Sequence, residues 1–202
     1  MTKTTPSKLP NSIPYYDTNA QHFFDTTIGY DLSELYALFL PHLPKGAKIL
    51  DAGCGSGRDA KCFFDQGYKV VAFDGSQHLV KLARQLTGLP IQHRLLSQVN
   101  EVEEFDGIWA SASLLHVPKT ELHIILEKLK MALKPKGIWY MSFRCGQGEQ
   151  DEGERYFYDQ TIDSLTKILT QLGGVNILHM TIPEKLRSRR GYEFIACVVQ
   201  KN

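Results

Sequence analysis

Lys48-Ile49-Leu50-Asp51-Ala52-Gly53-Cys54-Gly55-Ser56-Gly57-Arg58-Asp59 decides how the rest of the chain is read. A short apolar run, Lys48 to Leu50, enters a loop whose glycines alternate at 53, 55 and 57. A helix is expected to start at once at Arg58 and run to about Gln66, with Gly67 as its stop. Glycines tolerate positive φ and let a ligand come close to the backbone. The helix N-terminus adds unpaired N–H groups and a partial positive charge, so the loop seats an anionic or zwitterionic group.

Outward from the loop, strands and helices alternate. Tyr68 to Phe73 reads as a strand ending at Asp74, and Ser76 caps a helix to about Thr87 that Gly88 terminates. Ile91 to Leu95 and Phe105 to Ala110 are strands, the latter with Asp106-Gly107 oddly early in it. Lys119 to about Leu133 is an amphipathic helix with Leu122, Ile125, Leu126, Leu129 and Leu133 on one stripe. Ile138 to Phe143 is a strand, residues 144–155 read as a flexible polar loop, and Asp159 or Thr161 caps a helix to about Leu172. Val175 to Ile182 and Tyr192 to Val199 follow one another as an antiparallel hairpin at one edge. The alternation predicts an α/β fold, a mostly parallel sheet with helices on both faces. Upstream, Tyr15 to about Phe39 is helical, with Asp31 or Ser33 as a cap, and residues 1–14 are read as a flexible tail.

Asp74 lies about twenty residues beyond the loop, at the next strand end, where an acidic side chain hydrogen-bonds ribose hydroxyls in nucleotide-binding α/β folds. The spacing departs from the dinucleotide pattern G-x-G-x-x-G: three residues after Gly55 stands Arg58, and the third glycine comes one place early, at Gly57. An arginine there argues against a pyrophosphate and suits a carboxylate held bidentately, such as the methionine carboxylate of S-adenosylmethionine. Asp51 is placed to receive that ligand's ammonium.

Leu50 to Asp59 resembles motif I of the class I S-adenosylmethionine-dependent methyltransferases, and its Gly-Cys-Gly-Ser-Gly-Arg-Asp form resembles the small free-standing bacterial branch that includes the tellurite-resistance-type enzymes. Val71-Ala72-Phe73-Asp74-Gly75-Ser76 is similar to motif II. Phe105 to Ala110, with Ser111 to Val117 after it, is similar to motif IV, and Leu133-Lys134-Pro135-Lys136-Gly137-Ile138 to the Leu-Lys-Pro-Gly-Gly turn with Lys136 in place of one glycine. The resemblance covers about residues 15–200. It implies a Rossmann-like, seven-stranded, three-layer αβα sandwich whose last strand is antiparallel. It further implies a single methyltransferase domain over 15–202 with a helical lid at about 15–40.

The cofactor set implied is Tyr15 on the lid, Asp51, Gly53, Cys54, Gly55, Gly57 and Arg58 in the loop, Asp74, Gly75 and Ser76 after the second strand, and Ser111 after the fourth. The family's carboxylate for the adenine amino group is missing after the third strand, where Gln98 offers a carbonyl oxygen instead. His116 stands where the acceptor should lie and is apt as a base near neutral pH. Arg144 at the fifth strand's end, with Arg155 and Tyr156, would bind an anionic acceptor; Arg187, Arg189 and Arg190 in the terminal hairpin are weaker candidates.

The expected reaction is methyl transfer to a small-molecule oxygen, nitrogen, sulfur or chalcogen nucleophile, yielding S-adenosylhomocysteine. The competing readings are methylation of RNA or protein and a cofactor-binding module without activity. A nicotinamide oxidoreductase is disfavoured by the glycine spacing. Residues 110–113 read Ala-Ser-Ala-Ser, without the polar-Pro-Pro-aromatic motif of base amino-group methylation. A net charge of +1 gives no global attraction to nucleic acid or to anionic membranes. Four cysteines without a C-x-x-C pair or zinc-like spacing predict no metal and no disulfide. Reduced thiols, a polar start and no long apolar stretch set the expected location as cytoplasmic, with the chain a monomer or homodimer.

Overall fold

The computed structural model describes residues 11–183 and 191–202. Seven strands form one sheet: β1 (Lys48–Ala52), β2 (Lys69–Asp74), β3 (Gln92–His93), β4 (Phe105–Ala110), β5 (Leu133–Arg144), and, with two intervening strands numbered below, β8 (Val175–Thr181) and β9 (Phe194–Lys201). Their order is β3-β2-β1-β4-β5-β9-β8. The first five run parallel, and β9 is antiparallel to both β5 and β8. The terminal hairpin expected from the sequence is therefore present with its second strand on the inside, inserted between β5 and β8.

Pleat alternation builds the layers. Leu50, Ile108, Trp139 and Met141 point to one face and pack under α6 (Lys119–Ala132) and α7 (Ile162–Leu172) through Leu126, Leu129 and Leu165. Ile49, Trp109, Ile138 and Tyr140 point to the other, against α3 (Ser33–Phe39) and α4 (Arg58–Asp65) through Leu35, Phe39 and Phe63. Beside them α5 (Gln77–Thr87) packs Val80 and Ala83 against Ala60 and Ala72. The early glycine in β4 has a packing cause: a Cβ on Gly107 would come within 2.8 Å of Phe39 and 2.9 Å of Leu43. Asp106 next to it accepts from the Lys48 N–H and pairs with Lys134, tying β4 to β1 and β5. Lys136, which stands where the resembled turn has glycine, holds a left-handed φ of 61°.

Local chemistry sets the helix ends as the sequence indicated in two places. Ser76 accepts from the Leu79 N–H and Gly88 closes α5 in the left-handed region; Thr161 and Ser164 form a capping box on α7. Asp159 does not cap; it is buried against Arg144.

Three expectations are corrected. The helix read over 15–39 is three helices, α1 (Ile13–Thr18), α2 (Ala20–Thr27) and α3, because Asn19 and the Gly29–Leu32 segment interrupt it. The tail read as ending at 14 ends earlier: Ser12 is buried, donates to the Tyr156 carbonyl and accepts from the Tyr156 N–H. Residues 144–155, read as a flexible loop, contain β6 (Gly148–Asp151), which pairs antiparallel with β7 (Tyr156–Asp159). Residues 1–10 of the tail and Arg187, Arg189 and Arg190 lie outside the described residues. Among the described residues no helix is long and apolar enough to cross a membrane, and the four cysteines are unpaired.

Candidate active site

The strand order reverses between β2 and β4 on either side of β1, and ligands of open α/β sheets bind at the carboxyl edge of such a switch point. The loop after β1 lies there. Gly53 and Cys54 both donate their N–H to the Phe73 carbonyl, fastening the loop to β2 at 3.0 and 2.9 Å. Gly55 donates to Asp74 Oδ2 at 2.9 Å, and Ser76 to Asp74 Oδ1 at 2.8 Å. The Asp74 carboxylate is thus oriented by two backbone groups, with lone pairs left for further donors. Burial pushes its pKa up against the lowering effect of those two N–H groups.

The loop and Asp74 form one end of a cavity of about 940 Å³, whose lining includes Gly53, Cys54, Gly55, Asp74, Gly75 and Ser76. Helices α1 and α2 roof it. Their side chains sit directly on two glycines: a Cβ on Gly75 would fall 2.9 Å from Ile13, and one on Gly55 3.1 Å from Phe23. Asp17 anchors the roof on this side by accepting from Ser76 Oγ at 2.6 Å and from the His78 N–H. Leu95, Leu96 and Ser97 line the edge next to Asp74. Ser111 and Ser113 also line the cavity, and Ser113 Oγ is buried without a hydrogen-bond partner.

At the far end stands His116. Its Nδ1 lies 2.8 Å from the Tyr156 carbonyl, which requires the proton on Nδ1 and leaves Nε2 a bare acceptor. Tyr16 Oη lies 2.8 Å from that Nε2 and donates to it. Burial, with the charges of Arg155 and Arg144, lowers the His116 pKa to about 4, so the imidazole is neutral at pH 7. Burial likewise pushes the Tyr16 phenol up to about 12, with Arg155 opposing it.

Several sequence-derived assignments take a different geometry. Arg58, read as a carboxylate grip, lines the cavity, but its guanidinium is engaged by protein groups: Nε and Nη2 fork Asp59 at 2.7 and 2.9 Å, and Nη1 reaches the Thr27 carbonyl. Asp59 also accepts from Tyr36 and from Trp109 Nε1. Burial alone would raise its pKa, but Arg58 and these donors hold it below the usual carboxylate range.

Asp51 is buried beneath the loop and does not line the cavity; its Oδ2 lacks a partner, and burial with the neighbouring Asp59 raises its pKa. Gly57 lies outside the lining too. It has φ 79°, and a Cβ there would meet Ala83 at 2.9 Å, so its smallness serves the packing of α4 on α5. Gln98 turns away, its Oε1 accepting from the Leu95 N–H.

Near the His116 end, Arg144 is a buried cation, forked by Asp159 and bonded to Glu152. Tyr156 presents only its backbone to His116, while its phenol donates to Glu149. Tyr15 and Arg155 do line the cavity, stacked with the guanidinium 4.7 Å from the ring centroid. Tyr16 was read only as a lid residue beside Tyr15, and Ser113 and Asp59 were not singled out from the sequence. The adjacent Tyr15-Tyr16 pair and the Ser111-Ala112-Ser113 run were visible signals for the first two, because neighbouring positions divide between inward and outward.

Residues 49–137 match a family model described as a methyltransferase domain. A 106-residue stretch is 31% identical to a ubiquinone biosynthesis O-methyltransferase of Xanthomonas axonopodis pv. citri, covering 49% of this chain and 44% of that protein. The chain therefore spans less than half the length of the curated relatives it matches.

Among solved structures, a 1,6-didemethyltoxoflavin-N1-methyltransferase of Burkholderia thailandensis, holding 1,6-didemethyltoxoflavin and S-adenosylhomocysteine, superposes with a TM-score of 0.72 at 20% identity. That match covers 98% of this chain and 93% of that one. A TehB-like S-adenosylmethionine-dependent methyltransferase of Corynebacterium glutamicum superposes at 0.71 with 23% identity, over 94% and 100% of the two chains. At these identities the structures speak for the fold. The family match spans the loop, Asp74 and β4, and the chain shares the fold of these solved methyltransferases.

Proposed function

We propose that the chain binds S-adenosylmethionine at the Gly53–Ser76 end of the cavity and transfers its methyl group to a small molecule held near His116. The carrying observation is the Asp74 carboxylate, locked by the Gly55 and Ser76 N–H groups at the switch point of the sheet, in a cavity that continues to a separate polar pair. Asp74 would hold the ribose hydroxyls. The orphaned Ser113 Oγ, which lines the cavity, suits a polar group of the ligand.

The donor, when bound, supplies a sulfonium-activated methyl carbon, so the chain's own work is proximity, orientation and exclusion of water. The roof of α1 and α2 excludes water. His116, neutral and with a bare Nε2, is the group able to take a proton from the acceptor. Activity on a small molecule agrees with the names of the relatives. A cytoplasmic location agrees with four unpaired cysteines.

The test is incubation of a cell extract with methyl-labelled S-adenosylmethionine and the protein, followed by separation of small-molecule, RNA and protein fractions. Label in the small-molecule fraction is expected. Label confined to RNA or protein would overturn the acceptor class.

A further inference from the structure

Four arginines among those described line or flank the cavity, and they are not equivalent. Arg58 is forked by Asp59, Arg94 by Glu101, and Arg144 by Asp159 with Glu152 added. Arg155 has one ion-pair contact, to Glu152 Oε2 at 3.5 Å, beyond ordinary hydrogen-bond length, while Glu152 Oε1 bonds Arg144 at 2.5 Å. Its guanidinium is otherwise held by the Tyr16 hydroxyl, to which it donates, and by rings, 4.7 Å from the Tyr15 centroid and 5.0 Å from that of Phe157. Phe157 in turn packs 4.9 Å from His116, whose Nε2 receives the Tyr16 hydroxyl. A planar cation with N–H donors beyond these contacts, two aromatic rings and a proton-accepting pair therefore meet on one wall of the cavity. Guanidinium is matched by a planar carboxylate, bidentately, and flat aromatic rings are matched by another ring.

We infer that this wall is an acceptor subsite for an aromatic acid: Arg155 forks the ring carboxylate, Tyr15 and Phe157 flank the ring, and a ring hydroxyl is presented to Tyr16 and His116. The inference rests on the methyl-transfer reading above and names its substrate class. The hydroxyl donates to Tyr16 Oη. The acceptor oxygen forms the new bond to the methyl carbon, and the sulfur–methyl bond breaks with its electron pair passing to sulfur. The acceptor's proton moves to Tyr16 Oη as the Tyr16 proton moves to His116 Nε2. The cavity begins with one positive charge on sulfur and ends with one on imidazolium, so no net charge is created in a buried site. Opening of the α1–α2 roof returns that proton to water.

The probes are 2-hydroxybenzoate, 3-hydroxybenzoate, 4-hydroxybenzoate and 3,4-dihydroxybenzoate, with phenol and cyclohexanecarboxylate as controls. Each is titrated calorimetrically into the full chain saturated with S-adenosylhomocysteine, and each is assayed for labelled methyl transfer. At least one hydroxybenzoate is expected to bind about tenfold tighter than both controls and to become methylated on oxygen. Arg155→Gln should abolish the preference for the acid over phenol, and Arg155→Lys, which keeps the charge but not the fork, should restore only part of it. Tyr16→Phe should leave the acid bound and lower methyl transfer. No hydroxybenzoate binding while S-adenosylhomocysteine binds, or an undiminished preference in a folded Arg155→Gln, would overturn the subsite alone. Failure of S-adenosylhomocysteine to bind would instead overturn the reading beneath it.

Discussion

Tyr16 Oη donates to His116 Nε2 at 2.8 Å across 100 residues of sequence, joining the roof helix α1 to the segment after β4. This polar pair is thus complete only when the roof is seated. The same roof is tied to the Gly53–Ser76 end by Asp17, so one short helix touches both halves of the cavity.

His116 gives the first expectation. Its folded pKa of about 4 lies below the unfolded value near 6.5, so the unfolded chain binds the extra proton between those values. The stability it contributes is complete above about pH 6.5 and is lost as pH falls toward 4, roughly 3 kcal/mol in all. The buried Asp74 and Asp51, with raised pKa values, act in the opposite sense at acidic pH. Urea unfolding of wild type and His116→Gln from pH 4 to 8 separates them: the difference between the two should grow in favour of the variant as pH falls. A constant difference would mean that His116 titrates normally.

Arg58 and Asp59 give the second. Asp59→Ala leaves the Arg58 guanidinium buried without its fork and strands the Tyr36 and Trp109 donors, and should cost about 3–5 kcal/mol in denaturant unfolding. Arg58→Met should lower the unfolding midpoint while S-adenosylhomocysteine affinity, measured well below that midpoint, falls less than threefold or so. A large selective loss of affinity with unchanged stability would restore the carboxylate grip read from the sequence.

Gly57 separates packing from binding inside one motif. Gly57→Ala forces a side chain into a left-handed φ and places its Cβ 2.9 Å from Ala83, so unfolding should become easier by about 2 kcal/mol or more. Its thermal midpoint should fall, with ligand affinity retained in the folded fraction.

Asp17→Ala removes the roof's tether to Ser76 and His78. The expected outcome is faster release of S-adenosylhomocysteine in stopped-flow fluorescence, corresponding to roughly 1 kcal/mol, with little change in global stability. An unchanged release rate would mean that α1 is not the gate.

The elements legible in the sequence were those written in local patterns. The glycine loop between a strand and a helix, Asp74 at the next strand end, the Ser76 cap and the Leu122–Leu129 stripe each depend on spacings of a few residues, and each stands where expected. The sheet's antiparallel end was visible because two strands followed each other without a helix between them. The β6–β7 hairpin was hidden: β6 is exposed throughout, so it carries no apolar alternation to announce a strand. The Arg58–Asp59 fork was not legible because its partners are neighbours; i and i+1 side chains do not ordinarily face each other on a helix, yet in this first turn Asp59 folds back into the fork. The Tyr16–His116 and Arg144–Asp159 pairs depend on tertiary closure, which composition and periodicity do not encode.

Calorimetric titration of the wild-type chain and of Asp74→Ala with S-adenosylhomocysteine and with NAD tests the central claim most directly. Wild type should bind S-adenosylhomocysteine and not NAD, and Asp74→Ala should lose about 1–3 kcal/mol of that affinity, the worth of charge-assisted hydrogen bonds to the ribose. Binding of NAD without S-adenosylhomocysteine, or undiminished affinity in a folded Asp74→Ala, would contradict the assignment of the Gly53–Ser76 end of the cavity.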